Sequence, residues 1–152
     1  MDKTEDYIAS RIEWKAKRYN LPSQFSFFYN TLSSEIQQYL KTHTDKATCG
    51  QPILFFTKPT NEWTLICTRQ VIFNDNKKVF KVNIQNVAHL KPTLLDSSSK
   101  GKMVDMKEIK KSEWHKVTIV DKQNNNYILH ANKGNDLFAL WNILLMLVRL
   151  CD

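Results

Sequence analysis

The chain has 152 residues, 42% of them hydrophobic and 24% charged, with only three glycines and four prolines. Those values fit a globular protein with one well-buried core and exclude collagen-like, low-complexity and disordered classes. The net charge of +7 is uneven: residues 1–50 carry seven bases against six acids, residues 51–122 thirteen against seven, and residues 123–152 two against two.

Met1 to Asp6 has mixed charge and no apolar run behind it, unlike a secretory signal. From Thr4 to Tyr19, Ile8, Ile12, Ala16 and Tyr19 recur at helical spacing, which predicts an amphipathic helix. Leu21-Pro22 interrupts it, and Ser23 suits the cap of a second helix carrying Phe27, Phe28, Leu32, Ile36, Tyr39 and Leu40. Residues 1–45 therefore read as a helical pair packing on a strand-rich domain formed by residues 51–150.

From Gln51 the period changes. Ile53–Phe56, Trp63–Thr68, Val71–Phe73 and Lys78–Ile84 read as strands, with a turn-rich loop at 58–62 and a hairpin turn at Asn74–Lys77. The pattern weakens between Lys91 and Ser112, where Pro92, Ser97–Ser99 and Gly101 mark an irregular connection and Met103–Ile109 suggests a short strand. Trp114–Val120 and Tyr127–His130 read as the last two strands, joined by a polar turn.

The chain then runs from Gly134-Asn135-Asp136 into Leu137–Leu150, where only Asn142 and Arg149 are polar. A helix so apolar must be enclosed by the chain, by a partner or by a membrane. Its length of about 14 residues falls short of the ~20 needed to cross a bilayer. Intramolecular cover is the favoured expectation and a homodimer the competing one. The interface candidates are Phe28, Leu32 and Ile36 on one side and Phe138, Trp141 and Leu145 on the other.

The order of short antiparallel strands followed by a tryptophan-bearing closing helix resembles the pleckstrin-homology-like superfold, including small bacterial and GRAM-type members. The residues that carry it are Trp63–Phe73, Lys81–Val87 and Asp136–Leu150 with Trp141 near the middle. The resemblance covers residues 51–150 and implies an α+β fold: a curved antiparallel barrel closed by the C-terminal helix. It also implies a non-enzymatic module for phosphoinositides, peptides or proteins. The loop Lys58–Trp63 lacks the basic cluster of phosphoinositide-binding members, so protein binding is the implied function that remains.

Direct chemical signals are sparse. His43, His89, His115 and His130 show no metal-ligand spacing, although His115 and His130 fall on partner strands of the last hairpin. Glu108 and Glu113 flank Lys110-Lys111 as a solvated charge pattern, and no phosphate-binding or nucleophile-elbow motif occurs. No catalytic residue, metal or cofactor is expected. Cys49, Cys67 and Cys151 are widely spaced and odd in number, which argues against a disulfide framework and for a reducing cytoplasm. Cys151, almost at the chain's end, reads as an unimportant cysteine.

Twelve of the thirteen central bases are lysines, which suit a sheet edge or an anionic surface better than bidentate phosphate recognition. Lys58, Arg69, Lys77, Lys78 and Lys81 are the candidate anion or lipid contacts. The functional expectation is thus a non-catalytic module for a protein partner. Peripheral binding to anionic membranes is the alternative, and nucleic-acid binding ranks last because no motif accompanies the lysines.

Overall fold

The computed structural model describes residues 4–94, 114–132 and 134–151: two antiparallel sheets and a C-terminal helix. Helix α1 (Glu5–Arg18) begins where the Thr4 hydroxyl accepts the Tyr7 N–H at 3.1 Å. Glu5 and Asp6 in its first turn and Lys15, Lys17 and Arg18 in its last complement the helix dipole. Ile8, Ala9, Ile12 and Ala16 face inward, as the spacing predicts.

The expected second helix from Ser23 is corrected. Ser26–Phe28 is a strand, β1, followed by a 3₁₀ turn at Tyr29–Thr31 and a shorter helix α2 (Ser34–Lys41), capped by Ser33. Ser23 and Ser26 satisfy each other: the Ser23 N–H donates to both the carbonyl and the hydroxyl of Ser26, which competes with helical pairing. Phe27 and Phe28 then point to opposite faces, the period of a strand. The N-terminal helical pair is in fact α1, a strand, α2 and a four-residue helix α3 (Lys46–Cys49).

Strands β2 (Pro52–Thr57), β3 (Trp63–Cys67), β4 (Gln70–Asn74) and β5 (Val79–Asn83) form a meander, and β1 pairs with β2 to make five strands in the order β1-β2-β3-β4-β5. Asn76 at φ 71° makes the β4–β5 turn, as its residue type predicts. Strands β6 (Val87–Leu94), β7 (Trp114–Asp121) and β8 (Asn126–Leu129) form the second sheet. The second half of β6, from Lys91 to Leu94, occupies residues expected to begin an irregular connection. The expected strand at Met103–Ile109 lies outside the described residues, as do Glu108 and Glu113.

The expected closed barrel is also corrected, because no ladder joins the two sheets among the described residues. β1 occupies the hydrogen-bonding edge of β2 that a closing strand would use, and a 3₁₀ turn at Ile84–Asn86 leads the chain out of β5 toward the second sheet. The sheets meet through a side chain instead. The buried Thr64 hydroxyl donates to the His130 carbonyl at 2.7 Å and accepts the His130 N–H at 3.0 Å.

Helix α4 (Asn135–Leu150) packs on β6 and β7 on one side and on α1 on the other. Leu137, Leu140, Ile143, Leu144 and Leu147 are buried in one core with Ile8, Ile12, Phe56, Phe73, Val117 and Ile119. The start of α4 is held by the chain that leaves α1. Asn135 Nδ2 donates to the Tyr19 carbonyl at 2.9 Å, the Ser23 hydroxyl donates to Asp136 Oδ2 at 2.8 Å, and the Tyr19 and Phe138 rings meet edge-on at 5.5 Å. No helix among the described residues is long and apolar enough to cross a membrane.

If α1 is the cover of α4, Ile12→Ala and Leu144→Ala damage the same core. Each should lower stability by about 3 kcal/mol, or about 6–12 °C in Tm for a chain of this size. An unchanged melting curve for Ile12→Ala would show that α4 is covered by something else. Burial raises the Asp136 carboxyl above its usual range, against the smaller opposing effect of the Ser23 hydrogen bond. An acid whose folded pKa is raised binds protons more tightly when folded. It therefore favours the fold at low pH, and that contribution is lost as pH rises from the ordinary carboxylate range through the raised folded value. Asp136→Asn should accordingly gain in stability relative to wild type as pH increases across that window, measured by denaturant unfolding at several pH values.

Candidate functional site

The helical register of α1 sorts its side chains by chemistry. Ile8, Ile12 and Ala16 are buried, while Tyr7, Arg11, Trp14 and Arg18 recur at i, i+4, i+7 and i+11 along another stripe. Tyr7 and Trp14 are each 45% exposed. The Arg11 guanidinium lies 4.5 Å and that of Arg18 5.1 Å from the Trp14 ring centroid, one turn before and one turn after it. Such cation–π contacts contribute about 0.5–1 kcal/mol at an exposed site, enough to favour one placement of the indole.

The stripe continues onto α4. Arg11 and Lys15 from α1 and Asn142, Leu145, Met146, Arg149 and Leu150 from α4 line a recess of about 260 Å³. Two of the chain's four arginines, Arg11 and Arg149, therefore meet at this recess, and a third, Arg18, lies two turns further along α1 against the same Trp14 ring as Arg11. Among the described residues none of the three has a carboxylate within ion-pair distance. Sequence counting misses this face because residues 1–50 are nearly neutral overall. The i, i+4, i+7, i+11 recurrence of Tyr7, Arg11, Trp14 and Arg18 was the available signal.

The five predicted anion contacts do not form one patch. Lys58, in the β2–β3 loop, and Lys77 and Lys78, in the β4–β5 turn, share one end of the first sheet, where Asn76 Nδ2 donates to the Thr60 carbonyl at 2.7 Å. Acids occupy the same end. Asp75 accepts the backbone N–H groups of Lys77 and Lys78, which hold its carboxyl below the usual range, and Glu62 accepts from the Thr60 hydroxyl with the same effect. Lys81 stands exposed within β5. Arg69 lies at the other end of β3, a strand length away, beside Glu5 at 4.0 Å.

The predicted interface residues also separate. Phe28 packs against the core that contains α4, Leu32 against a second core on the opposite face of the first sheet, and Ile36 is 39% exposed. Cover for α4 comes from α1 rather than from this trio. Phe138 and Trp141 are half-buried at the rim of α4, and Leu145 lines the recess.

Around Arg69 is a wider polar cavity of about 820 Å³ lined by Glu5, Gln70, Asn83, Gln85 and Lys122 among others. Buried Gln70 donates Nε2 to Asn83 at 2.7 Å and leaves Oε1 without a partner there. Cys49 and Cys67 lie together in the second core, a pairing that their sequence spacing does not reveal. A hydrogen bond between the thiols holds Cys49 down to about 7, while the same bond and burial push Cys67 well up. Both are 0% exposed, so neither thiol meets solvent. Cys151, 6% exposed, is buried as well. Of the predicted histidine pair, His130 is half-buried, and the side chain of His115 is not among those described.

No protein-family model matches the chain, and no curated protein matches it in sequence.

A cationic collar around an exposed indole has a direct optical signature. The fluorescence component removed by Trp14→Phe should be quenched strongly by iodide and weakly by caesium. Double charge reversal, Arg11→Glu with Arg18→Glu, should invert that order. Equal quenching by both ions in the wild-type protein would mean that the guanidinia do not flank the ring in solution.

Proposed function

We propose that this protein is a non-catalytic binding module for a protein partner, built on a pleckstrin-homology-like plan. The strand order supports the plan. β2 to β5 are a four-stranded meander, β6 to β8 a three-stranded one, and a helix comes last, which matches the seven strands and closing helix of that superfold. Strand β1 and helices α1 to α3 are additions to it.

The observation that carries the binding reading is Trp14, 45% exposed between the guanidinia of Arg11 and Arg18. Exposed tryptophan, tyrosine and arginine are the residue types that dominate binding energy at protein interfaces. A tryptophan already held in place loses little further conformational freedom on binding, so more of its contact energy appears as affinity. The lysine-bearing end of the first sheet supports membrane attachment less well, because Asp75 and Glu62 stand among its bases.

Truncating an interface hot spot costs about 2 kcal/mol or more, roughly 30-fold in Kd. Quantitative affinity capture with wild type, Trp14→Ala and the control Ile128→Ala tests the reading, since Ile128 on β8 is 47% exposed outside this face. Proteins retained by wild type and Ile128→Ala should be lost with Trp14→Ala while the melting temperature stays unchanged. The same captured set from all three proteins would refute it.

A further inference from the structure

We infer that the partner presents an acidic segment with one protruding apolar side chain, its carboxylates on Arg11, Arg18 and Arg149 and the apolar group seated between α1 and α4. This rests on reading the α1–α4 face as a protein-binding surface. Three cations, Arg11, Lys15 and Arg149, line the recess and Arg18 extends the charge along α1 past Trp14, and the described residues offer the three guanidinia no internal carboxylate. Guanidinium groups present planar paired donors that match a carboxylate geometrically, which a lysine patch does not.

The recess fixes the rest of the ligand. At about 260 Å³ it is smaller than the ~300–1,000 Å³ typical of small-molecule pockets, so it suits one side chain rather than a whole cofactor. It is lined by the apolar Leu145, Met146 and Leu150, by Asn142, and by the cations Arg11, Lys15 and Arg149. An apolar side chain flanked by carboxylates is the complement of that arrangement.

Two other anionic partners fit less well. A nucleic-acid base needs an open aromatic face for stacking, and guanidinia already lie 4.5 and 5.1 Å from the Trp14 centroid, one turn to either side. A bilayer is entered by apolar side chains that protrude, whereas Leu145, Met146 and Leu150 line a concavity and none of them is exposed.

Fluorescence anisotropy with the full chain tests the inference against four probes. These are a short Asp/Glu-rich peptide with one central leucine, the same peptide with serine in place of leucine, a single-stranded oligonucleotide, and vesicles containing phosphatidylserine. The leucine peptide should bind best, weaken as salt rises, and weaken several-fold when its leucine becomes serine. Arg11→Glu with Arg149→Glu should reduce its affinity by about tenfold or more, as expected for losing and then reversing two complementary charges. Arg11→Lys with Arg149→Lys should fall between, and a melting curve for each variant separates binding loss from unfolding. Tighter binding of the oligonucleotide or the vesicles, indifference to charge reversal, or no binding of the leucine peptide would each overturn the inference. If the peptide fails while Trp14-dependent capture persists, protein binding stands and the acidic chemistry falls. Peptide binding without Trp14-dependent capture would refute the interface reading instead.

Discussion

Helix α4 cannot be left in water, and much of the molecule is arranged around that constraint. Its leucines and isoleucine project in several directions, and each buried one contributes about 1.5–3 kcal/mol relative to exposure. The two sheets enclose only part of it, so α1 is recruited to another side. What fixes the pairing is polar: the Tyr19 carbonyl accepts from Asn135, and the Ser23 hydroxyl donates to Asp136. These bonds join the end of α1 to the start of α4 and set the relative placement of the two helices. Apolar contacts supply the energy, and the short polar segment supplies the register.

The first sheet obeys the same logic from its other face. Leu54, Phe56, Ile66, Val71 and Phe73 point toward α4, while Phe55, Trp63, Leu65, Cys67 and Ile72 point away and would be exposed without α2 and α3. Leu40 and Cys49 fill that side. Gly50 permits the close approach: at φ 76° it favours glycine, and a Cβ there would overlap the Thr68 hydroxyl and the Glu5 carboxylate. Strands β2 to β4 are therefore buried on both faces, and the edge strand β1 comes from the segment that also ties down α4.

That two-sided burial explains what the sequence revealed and what it hid. A run such as Ile53-Leu54-Phe55-Phe56 is legible as a strand, and its lack of alternation already implies cover on both faces. Strands β3, β4, β7 and β8 were legible from their β-branched and aromatic runs, β5 from the alternation of apolar residues with lysines, and α1 and α4 from their helical spacing and apolar content. Strand β1 was not. Three residues containing adjacent phenylalanines fit a helical stripe as easily as a strand, and the choice depends on pairing with Leu54–Phe56, 26 to 30 residues away. β6 was hidden by Pro92, which reads as a strand breaker until its place opposite Val117 is known.

The candidate site was illegible for a further reason, which is that charge counted along a chain differs from charge sorted in space. Residues 1–50 are nearly balanced, yet the acids in the first turn of α1 are directed elsewhere. Glu5 turns toward Thr68 and Arg69, and Asp6 accepts from Gln51. Those acids help anchor α1 to the first sheet, whereas the arginines make no comparable structural contact beyond Trp14. The fold thus uses one charge sign of α1 to hold the helix in place and leaves the other facing outward. Because α1 must cover α4, its outward flank adjoins Arg149 and Leu145. The requirement to bury the closing helix therefore assembles a cationic, aromatic surface from two segments more than a hundred residues apart.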